Sequence, residues 1–294
     1  PLHSITLWRA LLFNTISNIP DAFIGDTLLK IAVLSDVHLI ADNDPYKHLH
    51  TRRDFFKSAW PSFQNLLKKV NDESPDLTIL LGDLVDWFSP ENIAFGLDLL
   101  SKLQTPWYIT PGNHDVAAPI GGFDQKDYKT EATRDYAAYW KQLRVDFTDR
   151  VIEIEGCYLI LLDSALSNLT SGSESWLNEA LNSEHPKFLF THVPPDLPET
   201  REYILSVDPR RSMAKYVLSG APNLYNIIKN RVSDVFTGHL HFAGDVSSDT
   251  THFHLCNMSI SMHDPHRDQS SIASATILES SGNTLLYRKI TADI

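Results

Sequence analysis

Short clusters of acidic residues and histidines follow five of the apolar runs in this 294-residue chain. In order, they are Asp36-Val37-His38, Gly82-Asp83-Leu84-Val85-Asp86, Gly112-Asn113-His114-Asp115, Thr191-His192 and Gly238-His239-Leu240-His241. Carboxylates, imidazoles and an amide together form a ligand set suited to two transition metal ions that share one oxygen ligand. One such cluster could consist of unrelated turn and core residues. Five in this order indicate a single composite site.

The apolar runs before the clusters are predicted β-strands. They cover residues 28–35, 77–82, 106–110, 187–191 and 232–237,. Between these strands, apolar residues recur at helical spacing, which predicts helices at residues 56–70, 90–103, 174–182 and 222–231,. Pro61 is expected to kink or restart the first helix,. The tail from 250 to 290 alternates and turns at Ser281-Gly282-Asn283, which predicts a hairpin,. The pattern predicts an α/β fold whose ligands lie at the carboxyl ends of the strands.

The five motifs resemble those of the calcineurin-like metallophosphoesterase superfamily over roughly residues 30–290. The resemblance implies a four-layer α/β/β/α sandwich (the metallo-dependent phosphatase fold) over residues 28–294. It also implies hydrolysis of phosphate esters with two divalent transition metal ions, Mn, Fe or Zn. By motif, Asp36, His38, Asp83 and His241 would hold the first ion. The second would be held by Asp83, Asn113, His192 and His239.

His114 and Asp86 are the predicted catalytic residues beside this ligand set. The resemblance makes His114 the general acid for the leaving oxygen, a role that suits the pKa of imidazole. Asp86 then looks like the carboxylate that orients His114. The alternative for Asp86 is a negative charge that stabilises a helix N-terminus.

Two further segments are similar to the class III cyclic-nucleotide phosphodiesterases. They are residues 159–164 (LILLDS) with 176–181 (WLNEAL), and residues 192–195 (HVPP). The first pair also suits an ordinary buried strand and amphipathic helix. These features favour a hydrolase for a small phosphodiester such as a cyclic nucleotide.

Two other functions remain open. One is a pyrophosphate or phosphomonoester hydrolase of the UDP-2,3-diacylglucosamine pyrophosphatase type, for which Trp87 matches and Ser89-Pro90 does not. The other is a non-catalytic scaffold, which the retention of His114 and of every predicted ligand disfavours.

Charge and cysteine usage limit the partners. The formal net charge of −12 argues against broad nucleic-acid binding, but not against a small phosphate ester,. Cys157 and Cys256 lie in apolar stretches and are expected to be buried free thiols,.

The chain begins at Pro1 instead of Met, so we expect that a preceding segment was removed or left out,. A cytoplasmic or membrane-associated location is favoured, and the sequence does not predict an oligomeric state.

Three segments depart from the resemblance. Residues 1–27 are a predicted helical extension whose apolar face over residues 4–19 either packs on the domain or contacts a membrane surface,. Residues 116–150 carry Phe123, Tyr128, Tyr136, Tyr139 and Trp140, which either shape substrate specificity or belong to the core,. Residues 193–220, which hold Arg201, Arg210 and Arg211, either shape substrate specificity or form a helical excursion on the surface,.

Overall fold

Thirteen strands and seven α-helices make up the computed structural model, which describes residues 29–46, 56, 59–116, 131–264, 269–281 and 284–293. The strands are β1 (Leu29–Leu34), β2 (Leu77–Leu80), β3 (Trp107–Ile109), β4 (Arg150–Ile154), β5 (Cys157–Leu162), β6 (Lys187–Thr191), β7 (Asp234–Thr237), β8 (Gly244–Ser248), β9 (Thr251–Leu255), β10 (Met262–Asp264), β11 (Gln269–Ser271), β12 (Ala273–Ser281) and β13 (Thr284–Ala292). The helices are α1 (Ala59–Glu73), α2 (Pro90–Leu100), α3 (Glu131–Gln142), α4 (Ser173–Ala180), α5 (Pro198–Val207), α6 (Met213–Tyr216) and α7 (Leu224–Ile228).

Most of the strands form two sheets. The first has the order β13-β12-β1-β2-β3, and its β1, β2 and β3 run parallel. The second has the order β4-β5-β6-β7-β9-β8, and its β5, β6, β7 and β9 run parallel. Strands β10 and β11 form a separate pair. The parallel centre of each sheet places the carboxyl ends of its strands along one edge.

The sheets stack face to face, because residues along each strand alternate between two apolar layers. In β1, Ile31 and Val33 join the layer between the sheets, while Ala32 and Leu34 face the helical layer of α1 and α2. Strand β5 behaves likewise, with its odd-numbered residues between the sheets and its even-numbered ones toward α4 and α7. The observed layering is therefore the predicted α/β/β/α sandwich.

The predicted elements are largely present. All five strands before the motifs form, and β12 pairs with β13 up to Ser281 opposite Thr284, as the hairpin prediction requires. Of the two expected effects of Pro61, a kink or a restart of the first helix, the observed helix bounds agree with a restart close to this residue. Helix α1 begins at Ala59, so Pro61 lies in the first turn, where its missing N–H removes no helical hydrogen bond,.

Other predictions are confirmed or lie outside the described residues. Cys157 and Cys256 are buried free thiols, as expected. Within the part of the chain that the structure describes, none of the helices combines the length and apolar character needed to cross a membrane. The predicted extension at residues 1–27, its apolar face, Phe123 and Tyr128 lie outside the described residues, so those hypotheses stay predictions.

Candidate metal centre

All five predicted motifs directly follow strands, and the loops that carry them meet at one edge of the sandwich. Within the first sheet, the N–H groups of Val37 and His38 both donate to the Asp83 carbonyl, at 2.8 and 2.9 Å. Within the second, the Gly238 N–H donates to the His192 carbonyl at 2.9 Å. Between the sheets, the His239 N–H lies 3.0 and 3.1 Å from the two Asp36 carboxylate oxygens. Hydrogen bonds from backbone N–H groups, to carbonyls and to the Asp36 carboxylate, therefore tie these motifs together.

The backbone is in the left-handed region at most of the predicted ligands. The φ angles are 51° at Asp36, 51° at His38, 53° at Asp83, 69° at His239 and 64° at His241. Such conformations cost of order 1–3 kcal/mol each when the residue is not glycine, and they concentrate at functional sites. The surrounding hydrogen bonds hold these five side chains in an arrangement that the isolated loops would not favour.

Two motif glycines are required by close contacts between loops. A Cβ atom on Gly112 would lie 2.1 Å from Asp83 Oδ1 and 2.3 Å from Asp83 N. One on Gly238 would lie 2.0 Å from Ser35 Oγ and 2.7 Å from Asp36 Oδ2. These distances are too short for real carbon contacts, so only glycine lets the loops approach this closely.

The residues predicted to hold the first ion form a cluster in which Asp36, His38 and Asp83 are buried and His241 is half-buried. Each of Asp36, His38, Asp83 and His241 offers one ligand atom within 4.8 Å of the others. The Nε2 atoms of His38 and His241 are 3.0 Å apart, and His241 Nε2 is 3.5 Å from Asp36 Oδ1. Imidazole nitrogens and carboxylate oxygens therefore converge on one point, as in sites for transition metals.

The residues predicted to hold the second ion form an adjoining cluster. His192 Nε2 lies 3.3 Å from Asp83 Oδ2, 3.2 Å from Asn113 Oδ1 and 3.1 Å from His239 Nδ1. Asp83 thus belongs to both clusters, since its Oδ2 is also 3.7 Å from His38 Nε2.

The shared Oδ2 atom of Asp83 is buried and, among the described residues, accepts no hydrogen bond. The other carboxylate oxygen, Oδ1, accepts the His114 N–H at 2.8 Å. A buried carboxylate oxygen without a donor is energetically unfavourable unless a cation binds there. This atom fits a bridging ligand between two cations.

Hydrogen bonds on the far sides of three imidazoles fix their orientation. His192 Nδ1 lies 2.6 Å from the Leu81 carbonyl oxygen, and His239 Nε2 lies 3.0 Å from the Lys215 carbonyl oxygen. His38 Nδ1 is 2.9 Å from Asp86 Oδ1. An N–H that donates outward leaves the other ring nitrogen with its lone pair directed into the cluster. The Leu81 and Lys215 carbonyls were not predicted from the sequence, because backbone atoms carry no residue signal.

His114 and Asp86, the predicted catalytic pair, lie beside the first cluster. His114 Nδ1 is 2.7 Å from the Asp86 backbone carbonyl oxygen and 3.3 Å from its carboxylate Oδ1. Asp86 therefore lies between His114 and His38. Burial alone would lower the pKa of His114, but the charges of Asp83 and Asp86 raise it above the usual value,. Helix α2 begins at Pro90 and is capped by Ser89, so Asp86 lies before its first turn.

The electrostatics of the cluster keep two of its imidazoles neutral and favour positive charge at a third. Burial lowers the pKa of His239 to about 3 and that of His241 to about 4, which keeps both imidazoles neutral. Burial opposes ionisation of Asp36, yet its interactions with His241 and His192 lower the pKa to about 2. Burial also disfavours a charged His192, yet Asp83 and Asp36 raise its pKa to about 9. The carboxylates of Asp83 and Asp36 therefore stabilise positive charge at the position of the His192 ring,.

Asp115 is a site residue whose role the sequence analysis missed, although it belongs to the third motif. Its carboxylate accepts N–H bonds from Asp83 at 2.8 Å, Gly112 at 2.9 Å and Val85 at 3.2 Å. Burial and the charge of Asp83 raise its pKa to about 7. Asp115 holds the second and third motif loops together.

Two of the aromatic residues in the described part of the 116–150 segment pack against core residues. Trp140 is fully buried, and its indole N–H donates to the Asp115 carbonyl at 2.9 Å. Tyr136 stacks on Phe88 with ring centroids 4.2 Å apart. Trp140 is thus a core residue that also supports the Asp115 loop.

The profile of the calcineurin-like phosphoesterase family matches residues 29–243, so the chain belongs to this family. It is a metal-dependent phosphoesterase, as the motifs predicted.

The chain is similar to several named relatives. A protein from Fibrobacter succinogenes named as a probable cyclic nucleotide phosphodiesterase is 29% identical over 219 residues, which is 73% of each chain. A probable glycerophosphodiester phosphodiesterase from Arcobacter nitrofigilis is 27% identical over 175 residues, covering 56% of this chain and 57% of that protein. A 3′,5′-cyclic-nucleotide phosphodiesterase from Nostoc is 34% identical over 91 residues, 30% of this chain and 32% of that protein.

Solved structures share the fold. A dimetal phosphatase from Danio rerio superposes with a TM-score of 0.55 at 12% identity, covering 90% of this chain and 99% of that one. GAP50, the anchor in the inner membrane complex of Plasmodium, gives 0.53 at 12% identity over 90% and 84% of the two chains. Identities this low establish the fold and not the activity.

Proposed function

We propose that this protein hydrolyses small phosphodiesters, with cyclic nucleotides as the first candidates, at a centre of two divalent transition metal ions. The observation that carries the proposal is the buried Oδ2 atom of Asp83, which accepts no hydrogen bond from the residues that the structure describes and lies 3.7 Å from His38 Nε2 and 3.3 Å from His192 Nε2. A carboxylate oxygen shared by two converging ligand sets is suited to two cations.

The residues present fit such a pair. Asp36, His38, Asp83 and His241 would hold the first ion, and Asp83, Asn113, His192 and His239 the second. Mixed imidazole and carboxylate ligands favour Mn, Fe or Zn over Mg and Ca, which prefer all-oxygen shells. The neutral state of His239 and His241 leaves their ring nitrogens able to ligate,.

A pair of bound cations would supply an acidified water molecule as the nucleophile and would offset the charge of the phosphoryl group. His114 contributes the proton that the leaving alkoxide needs. Its Nδ1 is held by Asp86, so Nε2 is the nitrogen left to donate. Its raised pKa keeps a proton available near neutral pH,. Asp86 orients the ring and supports its positive charge.

The choice of substrate is supported by the named relatives. The proteins from Fibrobacter succinogenes and Nostoc carry cyclic-nucleotide names, and the one from Arcobacter nitrofigilis carries a glycerophosphodiester name. All three names describe phosphodiester hydrolysis. Glycerophosphodiesters are therefore the second candidate.

An activity panel on Mn-reconstituted protein tests the proposal. It would compare cyclic AMP, a glycerophosphodiester, bis-p-nitrophenyl phosphate, p-nitrophenyl phosphate and a nucleotide-sugar pyrophosphate at matched concentrations. We expect kcat/KM to be highest for a diester and activity to vanish on chelation. Preference for the monoester or the pyrophosphate would overturn the diester assignment, and full activity after metal removal would overturn the metal centre.

A further inference from the structure

The loop after β1 contains a buried carboxylate, Asp44, that is not among the predicted metal ligands. Only 1% of this residue is exposed. Its Oδ1 accepts the Tyr46 N–H at 2.8 Å, and its Oδ2 lies 3.1 Å from Trp87 Nε1 and 2.6 Å from Ser89 Oγ. A carboxylate can be buried at this depth because each of its oxygens accepts hydrogen bonds. Asp44 therefore connects the loop after β1 to the segment that follows the second motif.

Trp87 is fixed by both its side chain and its backbone. Its buried indole N–H donates to Asp44. Its carbonyl oxygen accepts a hydrogen bond from Asn92 Nδ2 at 3.2 Å, and Asn92 Oδ1 in turn accepts the Ala41 N–H at 2.8 Å. Contacts to the loop after β1 and to the first turn of α2 therefore hold this residue from two directions.

The peptide unit between Asp86 and Trp87 carries the acceptor of the predicted general acid. His114 Nδ1 lies 2.7 Å from the Asp86 backbone carbonyl oxygen. Because the peptide unit is planar, the direction of this carbonyl is set by the residues on either side of it. On one side, the Asp86 N–H donates to the Leu39 carbonyl at 3.1 Å. On the other side is Trp87, so the contacts of Trp87 also restrain the acceptor of His114.

The second side chain that donates to Asp44 belongs to the start of α2. Ser89 caps this helix, since its Oγ accepts the Asn92 N–H at 3.1 Å while its hydroxyl donates to Asp44 Oδ2. One carboxylate oxygen thus joins the Trp87 ring to the N-terminus of α2. The short segment between the second motif and this helix is therefore held at both of its ends.

We propose that Asp44 is a positioning residue for the general acid. Through Trp87, it holds the 86–87 peptide unit in the orientation that keeps His114 ready to protonate the leaving oxygen. This role rests on the proposed function, which makes His114 the acid. Protonation of the leaving group then depends on a carboxylate that lies outside all five motifs and contacts neither substrate nor metal.

The leaving group separates positioning from simple stabilisation of the fold. An alkoxide needs a proton to leave, whereas p-nitrophenolate leaves well without one. For Asp44→Ala we expect kcat to fall roughly 10–100-fold on an alkoxide diester, the usual effect of losing a supporting group or of a small misplacement. On bis-p-nitrophenyl phosphate we expect a fall of less than about threefold. Metal content should stay at the wild-type level.

The conservative variant Asp44→Asn should recover a large part of the lost kcat on the alkoxide diester. Its amide oxygen has two lone pairs and can still accept hydrogen bonds from Trp87 and Ser89. An Asn variant as impaired as the Ala variant on the alkoxide diester would count against positioning through these two contacts.

The experiment measures kcat and KM of Mn-reconstituted protein on cyclic AMP, a glycerophosphodiester and bis-p-nitrophenyl phosphate, together with metal content and thermal unfolding. Asp234→Ala is the matched control, because it removes a buried carboxylate of β7 whose Oδ1 lies 2.9 Å from His254 Nε2. This control should lower Tm and leave the ratio of kcat between alkoxide and p-nitrophenyl substrates unchanged. Equal losses on all substrates in Asp44→Ala, or the same change of ratio in Asp234→Ala, would overturn the positioning role.

A second variant covers the case in which Asp44→Ala does not fold. Trp87→Phe removes the N–H that donates to Asp44 and keeps an aromatic ring in the core. It should lower kcat on the alkoxide diesters more than on bis-p-nitrophenyl phosphate, and an unchanged ratio would refute the inference. Failure of the proposed function looks different, since the wild-type protein would then hydrolyse neither cyclic AMP nor the glycerophosphodiester.

Discussion

Gly238→Ala is a direct steric test of how the loops position Asp36. The added Cβ would lie 2.7 Å from Asp36 Oδ2 and 2.0 Å from Ser35 Oγ, whereas ordinary contacts begin at 3.4 Å. The Asp36 oxygen would therefore have to move by about 0.7 Å, and the Ser35 hydroxyl by about 1.4 Å,. Metal sites tolerate deviations of only about 0.2 Å in ligand distance.

The expected result is weaker metal binding with a folded protein. We expect a loss of roughly 10–100-fold in affinity for the first ion, similar to that seen when groups supporting a ligand are removed. The steric strain should destabilise the fold by about 1–3 kcal/mol. The assay is activity against Mn concentration, with thermal unfolding as the measure of stability. Excess metal should recover most of the activity.

Two further variants sharpen this test. Ser35→Ala combined with Gly238→Ala removes the shortest contact and should recover part of the affinity, with a coupling of about 0.5–3 kcal/mol. Gly96→Ala is the control, because its Cβ would meet only the Leu84 side chain, at 3.0 Å, and should leave metal affinity unchanged. Wild-type metal affinity in Gly238→Ala would refute the steric reasoning.

Other substitutions separate chemistry from packing. His114→Ala should keep its metal and lose roughly 10²–10⁴-fold in kcat, less for a p-nitrophenolate leaving group than for an alkoxide; loss of metal would contradict the assigned role. A general acid must be protonated, and Asp86 helps to raise the pKa of His114. In Asp86→Asn the pH at which kcat falls should therefore be lower than in the wild type, and an unchanged pH profile of kcat would exclude this coupling. Trp140→Phe leaves the buried Asp115 carbonyl without its donor and should lower the free energy of unfolding by about 1–3 kcal/mol without changing KM,, whereas a changed substrate preference in a fully stable variant would favour a specificity role.

The positions of the motifs could be predicted because local pattern and topology agree. Each motif follows an apolar run of strand length, and parallel strands bring their carboxyl ends to one edge. The strands before Asp83 and before His239 belong to different sheets, and it is the family resemblance that predicts their meeting at one site. The paired strands β12 and β13 were equally readable, because their turn is short.

The supporting contacts could not be read from the sequence. The Leu81 and Lys215 carbonyls orient His192 and His239 through backbone atoms, which have no residue signature. The Arg211 side chain is buried, whereas that of the neighbouring Arg210 is exposed. This difference depends on how α5 and α6 pack against the loop after β7. Pattern alone cannot distinguish two adjacent arginines.

Metal content measured by elemental analysis tests the central claim most directly. The two clusters share Asp83 Oδ2, so fully reconstituted wild-type protein should contain two transition metal ions per chain,. Asp83→Ala should contain none, because one carboxylate serves both ions. One ion or none in the wild-type protein, or two in Asp83→Ala, would contradict the bridged centre.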